Sequence, residues 1–294
     1  MIVAILLTAL GVLAVAFTSV LIQTAVRRKE LRPTLESIAL GGVTNFFDTL
    51  GIGSFATTTA WIKLRKLIPD SYIPGTLNVG HALPTVAQAY IFIKLVDVDP
   101  VLLAACIASA VAGSIVGAPI VVRLPVRVVQ AVVGIALLIA ASLYALSNLG
   151  MMPAGGEALA LAAGPFAVAV VGHFVMGALM TFGIGLYAPS LILLSLLGLN
   201  PVAAFPIMMG ACAFLMPVCG MRFIRAERIN LRVVIGLAIG GIPLVLVAAF
   251  LVTSLPLVTL RWGVVVVVLY AAVLLLRSAM QAPISQEAGV KLAQ

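Results

Sequence analysis

The sequence predicts an all-α polytopic membrane protein: a leader helix, then two inverted repeats, each a re-entrant Gly-Ile-Gly hairpin and three full spans. Three observations predict it. The 294-residue chain is 63% apolar and 9% charged, with a mean hydropathy of +1.27, whereas water-soluble domains are about half apolar. Apolar runs near the ~20 residues that cross a bilayer recur along the whole chain. The tripeptide Gly-Ile-Gly occurs twice, at 51–53 and 183–185, inside two apolar segments that do not fit a plain span. A membrane barrel would instead show short alternating strands.

Residues 1–34 comprise a span over 2–26 and the basic loop "RRKELRP" (27–33). No basic region precedes the first apolar run, so it is expected to stay as a span rather than be cleaved. Repeat 1 covers 35–149, with its hairpin over 37–66 and spans at 73–93, 100–122 and 127–149. Repeat 2 covers 150–279, with its hairpin over 157–198 and spans at 204–221, 232–252 and 256–276. A polar tail, 280–294, follows. The repeat is read from "TLGIGSFA" (49–56), which lies on "TFGIGLYA" (181–188) at a shift of 132, and from "GAPIVV" (117–122), answered by "GIPLVL" (241–246).

Charge sets the topology, because cytoplasmic loops carry the lysines and arginines. If each Gly-Ile-Gly segment crossed once, 27–33 and 63–66 would face opposite sides. If each dips in and returns, 15 of the 17 basic residues gather inside. Only Lys94 and Arg261 then fall outside, with Asp97, Asp99 and Glu157. The N-terminus is expected outside and the C-terminus in the cytoplasm. Three full spans per unit invert the second unit, an architecture of many secondary transporters. The net charge of +8 is thus that of membrane loops, and no nucleic-acid partner is expected. Cys106, Cys212 and Cys219 have neither disulfide nor metal-ligand spacing, so no metal or cofactor is expected.

The two tips should meet near the bilayer midplane. Non-helical backbone at that depth must be buried in protein or line a cavity. Gly51, Ile52 and Gly53 form one tip, and Gly183, Ile184 and Gly185 the other; glycine permits the positive φ such turns need. Ser54, Thr57, Thr58 and Thr59 follow the first tip, and Tyr187 and Ser190 the second. Each following half-helix presents unpaired N–H groups and the positive end of its dipole. Two such ends aimed at one point make an anion site without lysine or arginine.

Asp48 is an intramembrane carboxylate, and such residues are functional by default. It is either a protonatable coupling group or an acceptor that pins the tip amides. Asn78, His81 and Gln88 form a polar stripe on the next span, which either lines the pathway, with His81 carrying protons, or bonds between helices. His173 is expected to be structural. Cys212 could contact a sulfur anion, although membrane cysteines are more often packing residues.

The paired glycine-rich hairpins, the "GAP" (117–119) and "LP" (124–125 and 255–256) marks after them and the chain length resemble the TauE/SafE family of sulfite and organosulfonate exporters, over about residues 36–278. The resemblance implies a secondary transporter, expected to export small sulfur-containing anions such as sulfite, thiosulfate or organosulfonates, with protons as a candidate coupling ion. The expected location is a prokaryotic cell (inner) membrane. An anion channel, or a permease for another small organic anion, is the alternative reading. Enzymatic activity is not expected, because Asp48 has no second carboxylate at matching depth.

Overall fold

The computed structural model describes residues 1–151 and 156–251, and beyond them 265, 269, 272–273, 276–277 and 279–280. Most of the expected span 256–276 and of the tail 280–294, with Arg261 and Lys291, lies outside them. Among the described residues the chain forms eleven α-helices and no strand. They are α1 (Ile2–Arg28), α2 (Leu35–Thr49), α3 (Phe55–Arg65), α4 (Ile73–Gly80), α5 (Ala82–Leu95), α6 (Pro100–Val121), α7 (Val126–Asn148), α8 (Ala163–Met180), α9 (Tyr187–Leu196), α10 (Pro201–Arg225) and α11 (Leu231–Leu251). Five stretches, within α1, α6, α8, α10 and α11, are long and apolar enough to cross a bilayer. Leucine, valine and isoleucine stand exposed along α1, α6 and α8, as a lipid-facing surface requires. The chain is an all-α membrane protein.

Each Gly-Ile-Gly segment interrupts a pair of helices whose far ends meet. At the first turn of α2, the Glu36 carboxylate accepts from Arg65 Nε at 2.9 Å and from Trp61 Nε1 at 3.1 Å, both near the end of α3. An exposed pair of this kind adds little stability, but it places the start of α2 beside the end of α3. In the second segment, 156–161 precedes α8 and 198–200 follows α9. Asn200 N donates to Ala158 O at 2.8 Å, and Gly156 N to Leu199 O at 3.2 Å. Asp99 N, at the head of α6, donates to Leu159 O at 2.9 Å.

The opposite end of α6 lies with the basic residues. Arg28 at the end of α1 pairs with Glu227 just past α10, and Asn230 N donates to Thr76 Oγ1 at the head of α4. Ser37 Oγ donates to Arg232 O, so the head of α11 joins the same end. Arg28, Glu227, Asn230 and Arg232 are thus gathered at one end of the described helices.

The expected unbroken span 73–93 is instead two helices, α4 and α5, separated at His81 (φ −89°, ψ −5°). Pro84 is the cause: it has no N–H to donate to the Gly80 carbonyl, and its ring crowds that oxygen. The second segment also differs from expectation, because its first helix starts at Ala163 rather than near 157.

Close approach between the halves of the chain uses glycine. A Cβ on Gly240 of α11 would collide with the Ile38 carbonyl oxygen of α2, and one on Gly41 with Leu237. The pairing of α6 with α8 is built alike, with Gly113 under the Phe174 carbonyl and Gly177 against that of Ala110. Small residues of this kind let membrane helices touch backbone to backbone. Gly177→Val is expected to lower stability by at least about 1–3 kcal/mol, the usual cost of overpacking. It should lower the melting temperature of the detergent-solubilised protein and its monodisperse yield. Gly164→Ala, where an added Cβ meets nothing within 4 Å, should leave both unchanged.

Candidate functional site

The two interrupted segments meet at their breaks. Gly51 (φ +82°), Gly53 (φ +86°) and Gly183 (φ +91°) carry the left-handed turns. Gly185 does not have a positive φ, so its role is proximity: a Cβ there would lie 3.7 Å from Phe55 Cβ, across the junction. The helices that leave the junction are short. α3 has 11 residues and α9 has 10, each about 15 Å at 1.5 Å per residue, or half of a ~30 Å hydrocarbon core. Their first N–H groups lack partners within the helix.

A cavity of about 20 Å³ lies between the tips, lined by Asp48, Gly53, Ser54, Phe55, Thr85, Met180, Gly185, Leu186, Tyr187, Cys212 and Met216. It has room for about one water molecule. A second, of about 40 Å³, adjoins it along Gly53, Phe55, Gly185 and Tyr187, with Ile184 in its wall. Among the described residues no lysine or arginine lines either cavity.

One hydrogen-bonded chain joins the two tips. Asp48 is buried and accepts from Ser54 N at 2.5 Å through Oδ1. Its Oδ2 accepts from Gln88 Nε2 at 2.9 Å. The same amide nitrogen donates to Thr49 Oγ1, and Gln88 Oε1 accepts from the Tyr187 hydroxyl at 2.6 Å. Asp48 thus holds the first tip amide, as one of its two sequence readings required, and Gln88 carries that contact across to Tyr187 beside the second tip.

The polar stripe divides. Gln88 joins the tips, whereas His81 is clamped nearby, with Nδ1 3.0 Å from Asn45 Oδ1 and Nε2 3.0 Å from Thr58 Oγ1. Asn45 Nδ2 donates to Gly41 O, so Oδ1 faces the ring as an acceptor. Nδ1 then carries the proton, and Nε2 accepts from Thr58. His173 plays a matching part for the other short helix, with Nε2 3.0 Å from Ser190 Oγ and Nδ1 2.8 Å from Ala169 O. Thr58 and Ser190 are related by the 132-residue shift, so each short helix has one hydroxyl held by a buried histidine.

Of the other predicted residues, Asn78 is away from the cavity: Nδ2 donates to Pro74 O and Met180 O, and Oδ1 accepts from Cys219 Sγ at 3.4 Å. Thr57 Oγ1 turns back to Ser54 O, and Ile52 is packed with Val265. Thr59 Oγ1 is buried without a hydrogen-bond partner among the described residues. Thr85, Phe55, Met180 and Met216 were not singled out from sequence. Thr85 was within reach, since it stands four residues after His81 and three before Gln88 and so continues their stripe.

No protein-family model, curated protein or solved structure matches this chain.

Proposed function

We propose that the protein is a secondary transporter of small anions, working by alternating access around the junction of the two tips. The observation that carries this reading is the convergence of the α3 and α9 N-termini on one small cavity, bridged by Asp48, Gln88 and Tyr187. Helix N-termini favour anions, and neutral donors hold an anion weakly enough to release it. Each segment is then a re-entrant hairpin, and the two halves are inverted repeats. In support, α2 of the first half packs on α11 of the second, while α8 of the second packs on α6 of the first. Positive charge places the basic end in the cytoplasm, and a prokaryotic cell membrane fits this arrangement.

The sulfur-anion class and the export direction rest on the resemblance to the TauE/SafE family. A tip cavity with room for one water favours alternating access over an open channel, because an ion cannot pass it without rearrangement. The test is uptake into proteoliposomes of sulfite, thiosulfate, sulfoacetate and taurine, each with and without an imposed pH gradient. Saturable uptake of one or more of the anions, absent from empty liposomes, is the expected result. Voltage-driven flux that does not saturate would replace the transporter with a channel.

A further inference from the structure

A much larger cavity opens at the basic end of the molecule, between α6 and α10. It measures about 460 Å³, and Arg123, Arg222 and Arg225 line it with Ser114 and Cys219. Among the described residues no acidic side chain lines it. Among the described residues none of the three arginines is in an ion pair, and the nearest carboxylate in sequence, Glu227, is taken by Arg28. Among the described residues these three exposed guanidinium groups around one opening have no counter-charge, and arginine's forked donors match the oxygens of sulfonate, sulfate and phosphate groups.

This cavity reaches close to the tips. Met216 lines the tip cavity and Cys219 the arginine-lined one. They stand three positions apart on one helix, about 4.5 Å along α10. The partition is defined by contacts: Cys219 Sγ donates to Asn78 Oδ1, Asn78 Nδ2 donates to Met180 O, and the Met180 sulfur lies 3.6 Å from Cys212 Sγ in the tip cavity wall.

We propose that the arginine-lined cavity is a second anion site, a vestibule that takes up an oxyanion group before it passes the Cys219–Asn78 partition. Binding of the anion there stands independently; its place on the transport path rests on the function proposed above. The same oxyanion chemistry is offered by a free sulfonate and by the phosphate of an anionic lipid, and the experiment separates them.

Val122 lines the vestibule and is only partly buried, so Val122→Cys places a reporter thiol in its wall. The purified full chain, in nanodiscs of phosphatidylcholine alone, is treated with methanethiosulfonate reagents of opposite charge: the anionic sulfonatoethyl and the cationic trimethylammonioethyl compound. Peptide mapping by mass spectrometry follows residue 122 apart from Cys106, Cys212 and Cys219. A cleft lined by one sign of charge raises the local concentration of counter-ions by tenfold or more. The anionic reagent should therefore exceed the cationic one by at least about tenfold relative to their rates on a free thiol. Arg222→Gln with Arg225→Gln should erase that preference. Arg27→Gln with Arg32→Gln, an equal loss of charge at two exposed residues around the end of α1, should leave it intact.

Sulfoacetate should slow the anionic labelling in phosphatidylcholine discs. If only added phosphatidylglycerol slows it, the occupant is a lipid headgroup and the free-anion site is overturned. Equal rates for the two reagents, or a preference that survives Arg222→Gln with Arg225→Gln, would overturn the vestibule itself. Labelling is read without transport, so a failed transport assay leaves this result standing.

Discussion

Gly53→Val is expected to abolish anion uptake. At φ +86° glycine is nearly free of strain, whereas a β-branched residue is a genuine outlier there. A strained position of this kind costs about 1–3 kcal/mol, and the turn can relieve it only by moving. Movement would carry Ser54 N away from Asp48 Oδ1 and shift the start of α3 relative to Gly185. Gly53→Ala has a smaller left-handed penalty, about 1–2 kcal/mol, and should keep the fold with reduced uptake. Gly185→Ala should be the mildest of the three, because its backbone is not left-handed and its new Cβ would make an ordinary contact at 3.7 Å. Size-exclusion profiles and uptake rates for the three variants check this order. Normal uptake by well-folded Gly53→Val would remove the tips from the transport site.

Asp48→Asn is expected to uncouple anion binding from pH. An anion and an ionised carboxylate about 6 Å apart repel by roughly 3 kcal/mol at an effective dielectric near 20, a factor of about a hundred in affinity. Anion binding then favours the protonated carboxyl, so wild-type affinity should rise as pH falls. The hydrogen bonds give this a route. Ionised Asp48 accepts from the Gln88 amide nitrogen, which leaves Gln88 Oε1 to accept from Tyr187. A protonated Asp48 donates instead, which turns the Gln88 amide over, and the Tyr187 hydroxyl, now an acceptor from Gln88, is free to donate to an anion in the cavity. Asparagine imposes the same reversal at every pH. Its anion affinity should therefore be flat between about pH 5 and 8, and pH-driven accumulation should be lost. A flat wild-type profile would leave Asp48 as a tip acceptor only.

How much of this site is legible in the sequence depends on the range of its interactions. The two Gly-Ile-Gly breaks were legible because a carboxylate, glycines and hydroxyls stand out in an apolar segment. Asp48 with Ser54 was legible too, since both lie in one short turn. The interruption at His81 was not, although Pro84 signalled it; in a membrane protein proline is frequent within spans and is a weaker mark than in water. Asn78 was read from its spacing to His81 as either lining the pathway or bonding between helices, and its partner, the carbonyl of Met180, lies 102 residues away. Helical periodicity cannot locate such partners, because the lipid-facing and protein-facing sides of these helices are both apolar. The arginine-lined cavity was hidden for a related reason: its basic residues read as ordinary loop charge until α6 and α10 were brought side by side.

The packing of α2 on α11 also sets a timetable for biogenesis. Ser37 reaches Arg232 across 195 residues of chain, and at roughly 5–20 residues per second that interval takes about 10–40 s to synthesise. Throughout it α2 has no α11 to cover Gly41 or Asn45. The α8–α9 segment meets no such delay, because α6 is complete before α8 leaves the ribosome. The two halves therefore face unequal hazards during insertion: the first must be sheltered by the insertion machinery or held near the headgroups, while the second can dock on arrival.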